Sequence, residues 1–514
     1  MKLGTIEART ANGTGESGQV SIFATESVEL SGTNSEVSLN GSIFTNTTGS
    51  ADAGDITIIT PSLSVRDRSS ITAISDENST GNAGNIRILA TDAVEIIGLG
   101  IDKSTVFVSS STLGTGNGGN ISIETAKLTV AEGGVVNTNA NDSSSGRAGN
   151  LRVIASEEIT ISDSGLQATT NSFGNGGDIT INTERLIVQN EAVIAVSSFL
   201  FPEQNTPGGG DAGNVNIYAS ELVELSDSGI SARTRTTGDA GNVTIQTETL
   251  RILDESIISV NSESSGIPGK LDITATSTLI ENQSSLFAAS EGGQGGNIRL
   301  QSNDVRLFNS CGITASGSES GETFEGNVEI DADLLVLLNR SDIITDAFSP
   351  SGGSNINIRP FTQPTVGIVQ SVDSTIVAAG NLTIDSSVTF QPAEIPEVAV
   401  VDPNDLIAAE FCRQRGGSEF IVTGRGGIAA DPNDKATGNQ INVDLVEPVA
   451  TQPHNSSQQR SEIEDNQPIS SLDIIPARGW IRDENGDVIL VSYDPTKTGI
   501  QPQQSNPHPC QNNR

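Results

Sequence analysis

Residues 149–155, Gly-Asn-Leu-Arg-Val-Ile-Ala, place an apolar–polar alternation directly behind a Gly-Asn pair. Leu151, Val153 and Ala155 share one side of an extended chain, because side chains of a strand alternate with a period of two and not the 3.6 of a helix. After a polar corner at Ser156–Glu158, Ile159 and Ile161 make a second short run, and Leu166 and Ala168 a third. The segment then enters TTNSFGNGGD (169–178), rich in the Gly, Asn, Ser and Thr that supply positive φ or local side-chain hydrogen bonds at turns. One unit thus reads as three short strands and a corner.

The unit recurs. GDITIIT starts at 54, GNIRILA at 84, GNISIET at 119, GDITINT at 177, GNVNIYA at 213, GNVTIQT at 241, GKLDITA at 269, GNIRLQS at 296, GNVEIDA at 326 and GNLTIDS at 380, with weaker copies at 18 (GQVSIFA) and 354 (SNINIRP). The twelve intervals between Gly18 and Gly380 run from 26 to 36 residues. A fixed period in that range marks a repeat architecture. Such small strands cannot bury an apolar face alone, so successive units must stack and share one interior. The fold expected is all-β: a right-handed parallel β-helix of about thirteen coils, each rising the ~4.8 Å between paired strands. Asn85, Asn120, Asn150, Asn214, Asn242 and Asn297 fall at equivalent corners, where stacked amides would form a structural ladder from coil to coil. A propeller needs longer, aromatic-marked repeats, and a calcium-binding nonapeptide array needs its glycine motif every nine residues; neither period is present.

Composition narrows the function. The chain has 27 Lys plus Arg against 64 Asp plus Glu, a formal charge of −37 over 514 residues. Such a surface repels phosphate backbones and anionic headgroups, so nucleic-acid and anionic-membrane binding are not expected. No apolar stretch has the ~18 residues of a membrane-spanning helix. The first residues, MKLGTIEART, lack the apolar core and cleavage site of a signal peptide. Residues 5–18 align with 229–241, the third strand and corner of a unit, so the repeat region, 1–390, starts mid-repeat. It reads as the downstream part of a longer protein or as a broken reading frame.

Beyond residue 390 the composition changes: 12 of the 19 prolines, both histidines, the only Trp and two of the three cysteines lie there. Residues 391–432 carry a helix signal, Asp402 as cap, Pro403 in the first turn, and Gly416 and Gly417 as the stop. Residues 433–470 are Pro/Gln/Ser-rich and read as a disordered linker. In 471–514, Asn485 and Gly486 between two apolar runs predict a β-hairpin followed by a tail.

The GN-I-x-I repeats, followed by EFCRQRGGSEFIVTGRGGIAADPND (410–434) and ARGWIRDENGDVILV (477–491), resemble the C-terminal part of cyanobacterial filamentous-haemagglutinin-like exoproteins. Those are substrates of two-partner secretion. The resemblance implies an extracellular or cell-surface rod used in adhesion, aggregation or surface layers. Its implied partners are glycans or proteins of neighbouring cells, together with an outer-membrane transporter that reads an N-terminal domain absent from this sequence.

No enzyme is expected. The only histidines, His454 and His508, lie in the tail, so the repeats offer no imidazole for a nucleophilic site. Cys311, Cys412 and Cys510 lack zinc-site spacing. No metal or cofactor is predicted, although weak surface calcium binding is open to so acidic a chain. Cys412 and Cys510 either form a disulfide or remain free thiols, and Cys311 reads as a small buried residue. The enzymatic alternative is a polysaccharide lyase or hydrolase using paired carboxylates, and a nonfunctional gene remnant is a further one. Adjacent acids such as Glu157 and Glu158 read instead as a solvated corner. The long interval from Gly177 to Gly213 contains FLFPEQNTPGGG (199–210), so Phe199, Leu200 and Phe201 form a candidate contact loop, or else pack on the outer wall of adjoining coils.

Overall fold

Apolar alternation becomes two parallel sheets, each with a main path of thirteen strands running in chain order from coil to coil. In the computed structural model the described residues are 5–10, 17–32, 41–99, 106–141, 145–199, 209–290, 295–317, 326–347, 354–385, 387–390, 479–482 and 488–491. The chain divides into two units, Met1–Glu394 and Ile395–Arg514. In the first, all strand pairing is parallel, as a β-solenoid requires. In the second, Gly479–Arg482 pairs antiparallel with Val488–Val491, the two arms of the expected hairpin. The expected helix at 402–415 and the linker at 433–470 lie outside the described residues.

The strand count per coil differs from expectation. Residues 151–161 do not break at the polar corner; Leu151–Ser162 is one twelve-residue strand. Its register with Ile121–Ala131 slips between Ala155 and Glu158, where Ser156 and Glu157 stand against the single residue Ala126. A bulge absorbs the extra residue and turns the strand while keeping both halves paired. Backbone groups prefer to remain in the ladder, because an unpaired one costs about as much as a lost hydrogen bond. From Ile56 to Ala347 each coil therefore consists of one long strand and one short strand, such as Gly165–Gln167, whereas in the end coils the halves stay separate, as Val20–Phe23 and Ser27–Ser31 and as Ile356–Arg359 and Val366–Gln370.

The inward side chains form columns. Ile121, Leu151, Ile179, Val215, Val243, Leu271, Ile298 and Val328 are each at most 1% exposed and stand in one register. Each such burial contributes about 1.5–3 kcal/mol. No Phe, Tyr or Trp enters this core among the described residues. A coil closed by so few residues has room for β-branched and leucyl side chains, and rings would force neighbouring coils apart.

Two polar columns run beside the core. The hydroxyls of Thr47, Ser75, Thr112, Thr170 and Ser198 donate to the carbonyls of Ala51, Gly81, Gly116, Gly174 and Gly210 at 2.6–2.7 Å. Ser256, Ser284, Cys311, Ser341 and Ser374 make the other, with the backbone N–H of Ser256 donating to Ser284 Oγ and that of Ser341 to Ser374 Oγ. Cys311 is thus the buried small residue expected, in a place its neighbours fill with serine.

The glycines do a different job from the one the sequence suggests. At Gly213 φ is not in the left-handed region; a Cβ there would overlap the Gly177 carbonyl, at 2.5 Å from its carbon. The same collision recurs at Gly177 against Gly149 and at Gly149 against Gly119. Close approach of backbones, not φ, selects glycine there. Positive φ sits at another corner, on pairs such as Asp254–Glu255, Asn282–Gln283 and Asn309–Ser310 at φ 54–65°. Asn and Asp tolerate that conformation better than most residues.

Candidate functional surfaces

At the Gly-Asn corner the Oδ1 of each ladder residue faces the backbone N–H of its counterpart one coil on. Asn120 N–H donates to Asn85 Oδ1 at 2.9 Å, Asn150 N–H to Asn120 Oδ1 at 2.9 Å, and Asn242 N–H to Asn214 Oδ1 at 3.0 Å. The amide nitrogens of Asn120 and Asn242 bond the same oxygens at 3.1 and 2.9 Å. Two aspartates belong to this row: Asp55 accepts from Asn85 and Asp178 from Asn214. Lys270 interrupts it, donating its backbone N–H to Asn242. The row resumes at Asn297, which accepts from Asn327, and continues through Asn355 to Asn381. In this row Asp178 stands between Asn150 and Asn214, and Asp55 has Asn85 as its downstream neighbour.

A second row lies three residues upstream and was not singled out from the sequence. Asn82 N–H donates to Asp52 Oδ1 at 2.7 Å, Asn117 N–H to Asn82 Oδ1 at 2.8 Å, and Asp239 N–H to Asp211 Oδ1 at 2.9 Å. The signal was present in the doubled motif of GNAGN (81–85), GNGGN (116–120) and GDAGN (210–214). An open groove runs between the two rows, lined by Asp52, Asp55, Asn82, Asn85, Asn117 and Asn120. These Oδ1 atoms already accept backbone donors, so the rows hold coils together.

Another groove follows the left-handed corner and is lined by Asp227, Asp254, Glu255, Asn282, Asn309 and Arg340. Asn282 Nδ2 donates to Asp254 Oδ1 at 2.9 Å, Ser226 Oγ to Asp254 Oδ2 at 2.8 Å, and Asn339 Nδ2 to Asn309 Oδ1 at 2.9 Å. The Asn282 amide first, and the Ser226 hydroxyl second, hold the Asp254 carboxyl below the ordinary carboxylate range. Asp254 therefore stands as a stabilised anion. Among the described residues no three His, Cys, Asp or Glu side chains converge as metal ligands.

The acids at the bulged corner are ion-paired across coils. Glu157 meets Lys127 Nζ at 3.2 Å and Glu158 meets Arg185 Nε at 3.6 Å. Both pairs are half exposed, which limits each to about 0–1 kcal/mol.

Phe199 lies beneath the next coil: Arg233 and Arg235 cover its ring at 5.8 and 5.9 Å, and both guanidinium groups reach Glu263. This placement matches packing on the outer wall. Leu200 and Phe201 lie outside the described residues, as do Cys412 and Cys510. Burial pushes the Cys311 thiol up, keeping it protonated and unreactive. Among the described residues no helix is long and apolar enough to cross a membrane. Compared with family models, curated proteins and solved structures, the chain matches none.

Proposed function

We propose that this chain is a non-enzymatic, adhesin-like scaffold, part of a secreted or cell-surface protein exported by two-partner secretion. The observation that carries this reading is the unbroken parallel stack, whose corners repeat the same hydrogen-bonded side chains coil after coil. Such a solenoid offers extended repetitive faces to a partner rather than one enclosed pocket. The sequence resemblance of segments 410–434 and 477–491 supplies the surface location and the export route. Glycans or proteins of neighbouring cells are the partners this reading names.

A second reading, a polysaccharide-active enzyme, has one observation in its favour: the groove where Asp227, Asp254 and Glu255 share a lining with Arg340. Glycoside hydrolysis needs one carboxyl held protonated, and Asp254 is shifted the other way. The two readings separate in one experiment. The full chain is fixed to beads, mixed with bacterial cells, and the beads are scored for adhesion while the medium is assayed for newly formed reducing ends and unsaturated uronates. Adhesion without product supports the scaffold; sugar release lost in Asp254→Asn replaces it with the enzyme.

A further inference from the structure

The short-strand sheet has an outer face unlike the rest of the molecule. Eight successive strands, from Val106–Ser109 to Gly312–Gly317, contain no Asp, Glu, Lys or Arg. The long strands of the same coils carry Arg152, Glu157, Glu158, Arg185, Glu224 and Arg251. In a chain of net charge −37, a neutral face of this length is where two copies can meet without burying like charges.

The face also has relief. Strand register aligns Val135, Gly165, Val193, Gly229, Ile257 and Ser285 in one outward column. Large and small alternate rung by rung. Val193 and Ile257 stand 37% and 43% exposed, and Gly229 leaves a gap between them, whereas Gly165 is buried beneath the side chains of Val193 and Gln167. Read in reverse, the column sets Val135 against Ser285, Gly165 against Ile257, and the exposed Val193 against the open Gly229. A two-fold axis along the strand direction, between the rungs of Val193 and Gly229, produces that pairing. Such self-complementarity is what an isologous interface requires.

We propose that this face binds a second copy of the same chain, stacked in the opposite direction, with Val193 of each copy seated over Gly229 of the other and Ile257 lying against the Gly165 rung. Eight rungs at ~4.8 Å and two to three outward residues per strand give roughly 650 Å² per copy, near the ~800 Å² of a standard interface. The same axis brings the exposed acids Asp163, Glu191, Asp227 and Glu255 on one rim beside those of the other copy. Their repulsion weakens pairing at low ionic strength, and salt restores it, because the screening length is only ~10 Å at 0.1 M.

The test is sedimentation of the full chain up to about 100 µM, above the µM-to-pM range spanned by interfaces of ~1,600 Å². The expected result is a dimer that strengthens from 0.05 M to 0.5 M NaCl and is weakened at least tenfold in V193E/I257E. Val372→Glu, a charge at another exposed apolar residue, leaves it unchanged. Val135→Cys/Ser285→Cys reads the register: within one chain these positions are five rungs, ~24 Å, apart, too far for a disulfide. The double variant forms a covalent dimer on oxidation and each single variant stays at the wild-type background. A monomer at the highest concentration in 0.5 M NaCl, a dimer indifferent to V193E/I257E, or a double variant that does not cross-link overturns the proposal.

Discussion

Gly213→Ala tests the packing of the coil corner directly. The added methyl group lies 2.5 Å from the Gly177 carbonyl carbon, about 1 Å inside the ~3.5 Å of ordinary carbon contact. Neither atom is on a flexible side chain, so the coils themselves must separate. Overpacking of this kind costs ~1–3 kcal/mol. Separation also stretches corner bonds such as Gly213 N–H to the Val196 carbonyl, now 3.0 Å, at ~1 kcal/mol each. Against this, Ala restricts the unfolded chain and returns ~0.4–1 kcal/mol. The net expectation is a loss of about 3 kcal/mol, which lowers protection roughly a hundredfold. Because a solenoid can open locally, the assay is native-state hydrogen exchange at residues 177–182 and 213–218. The control is Gly133→Ala, where φ is +84° and nothing lies within 4 Å of the new methyl group. That variant pays only the left-handed backbone term, ~1–2 kcal/mol. If Gly213→Ala loses no more protection than Gly133→Ala, close backbone approach is not what selects glycine at this corner.

Within the amide row, Asn242→Ala removes the acceptor of Lys270 N–H and the donor to Asn214; thermal melts should show a loss of about 1 kcal/mol. Asn242→Asp, which keeps the acceptor, should cost less. The Asp254 carboxylate is favoured by Asn282 and Ser226, so its folded pKa lies below its unfolded one. Its contribution to stability is present above the unfolded value of ~3.9 and fades as pH falls through the folded value. Asn282→Ala should move the Asp254 titration, followed by carboxyl NMR, back toward the ordinary range. Cys311→Ser should change the melting temperature little, since the same column holds Ser284 and Ser341, and native Cys311 should resist thiol reagents until the chain unfolds. Deleting residues 200–208 should lower bead-to-cell adhesion; full adhesion would assign the contact to the coil faces.

The core was legible because its signal is periodic. Alternation in Leu151, Val153, Ala155 and in Ile159, Ile161 gave the inward columns residue by residue, and the 26–36-residue spacing gave the stack. Asn85, Asn120, Asn150, Asn214 and Asn242 could be placed at one corner for the same reason. The equivalence of Asp55 and Asp178 with those asparagines was harder to see, because it depends on Oδ1 accepting a backbone donor, which either residue provides. The upstream row through Asp52, Asn82 and Asn117 was hidden because Gly/Asn-rich corners look alike until the coils stand in register. The sequence left Phe199 either in a contact loop or packed on the outer wall; Arg233 and Arg235 from the next coil cover its ring.

By itself, the sequence determined that this chain is a stack of parallel strands. A two-residue alternation dictates which side chains face inward, and a repeated unit too small to bury them must pack on its neighbours. Tertiary structure decided what depends on neighbouring coils at ångström scale. It merged two expected strands through a bulge, assigned glycine to backbone clearance and positive φ to Asp and Asn pairs, and aligned Val193 and Ile257 with Gly165 and Gly229 across strands that are 28 to 36 residues apart in sequence. Sequence periodicity fixes direction within a strand, whereas register between coils follows from the length of every intervening loop, so the faces those coils build exist only once the stack has formed.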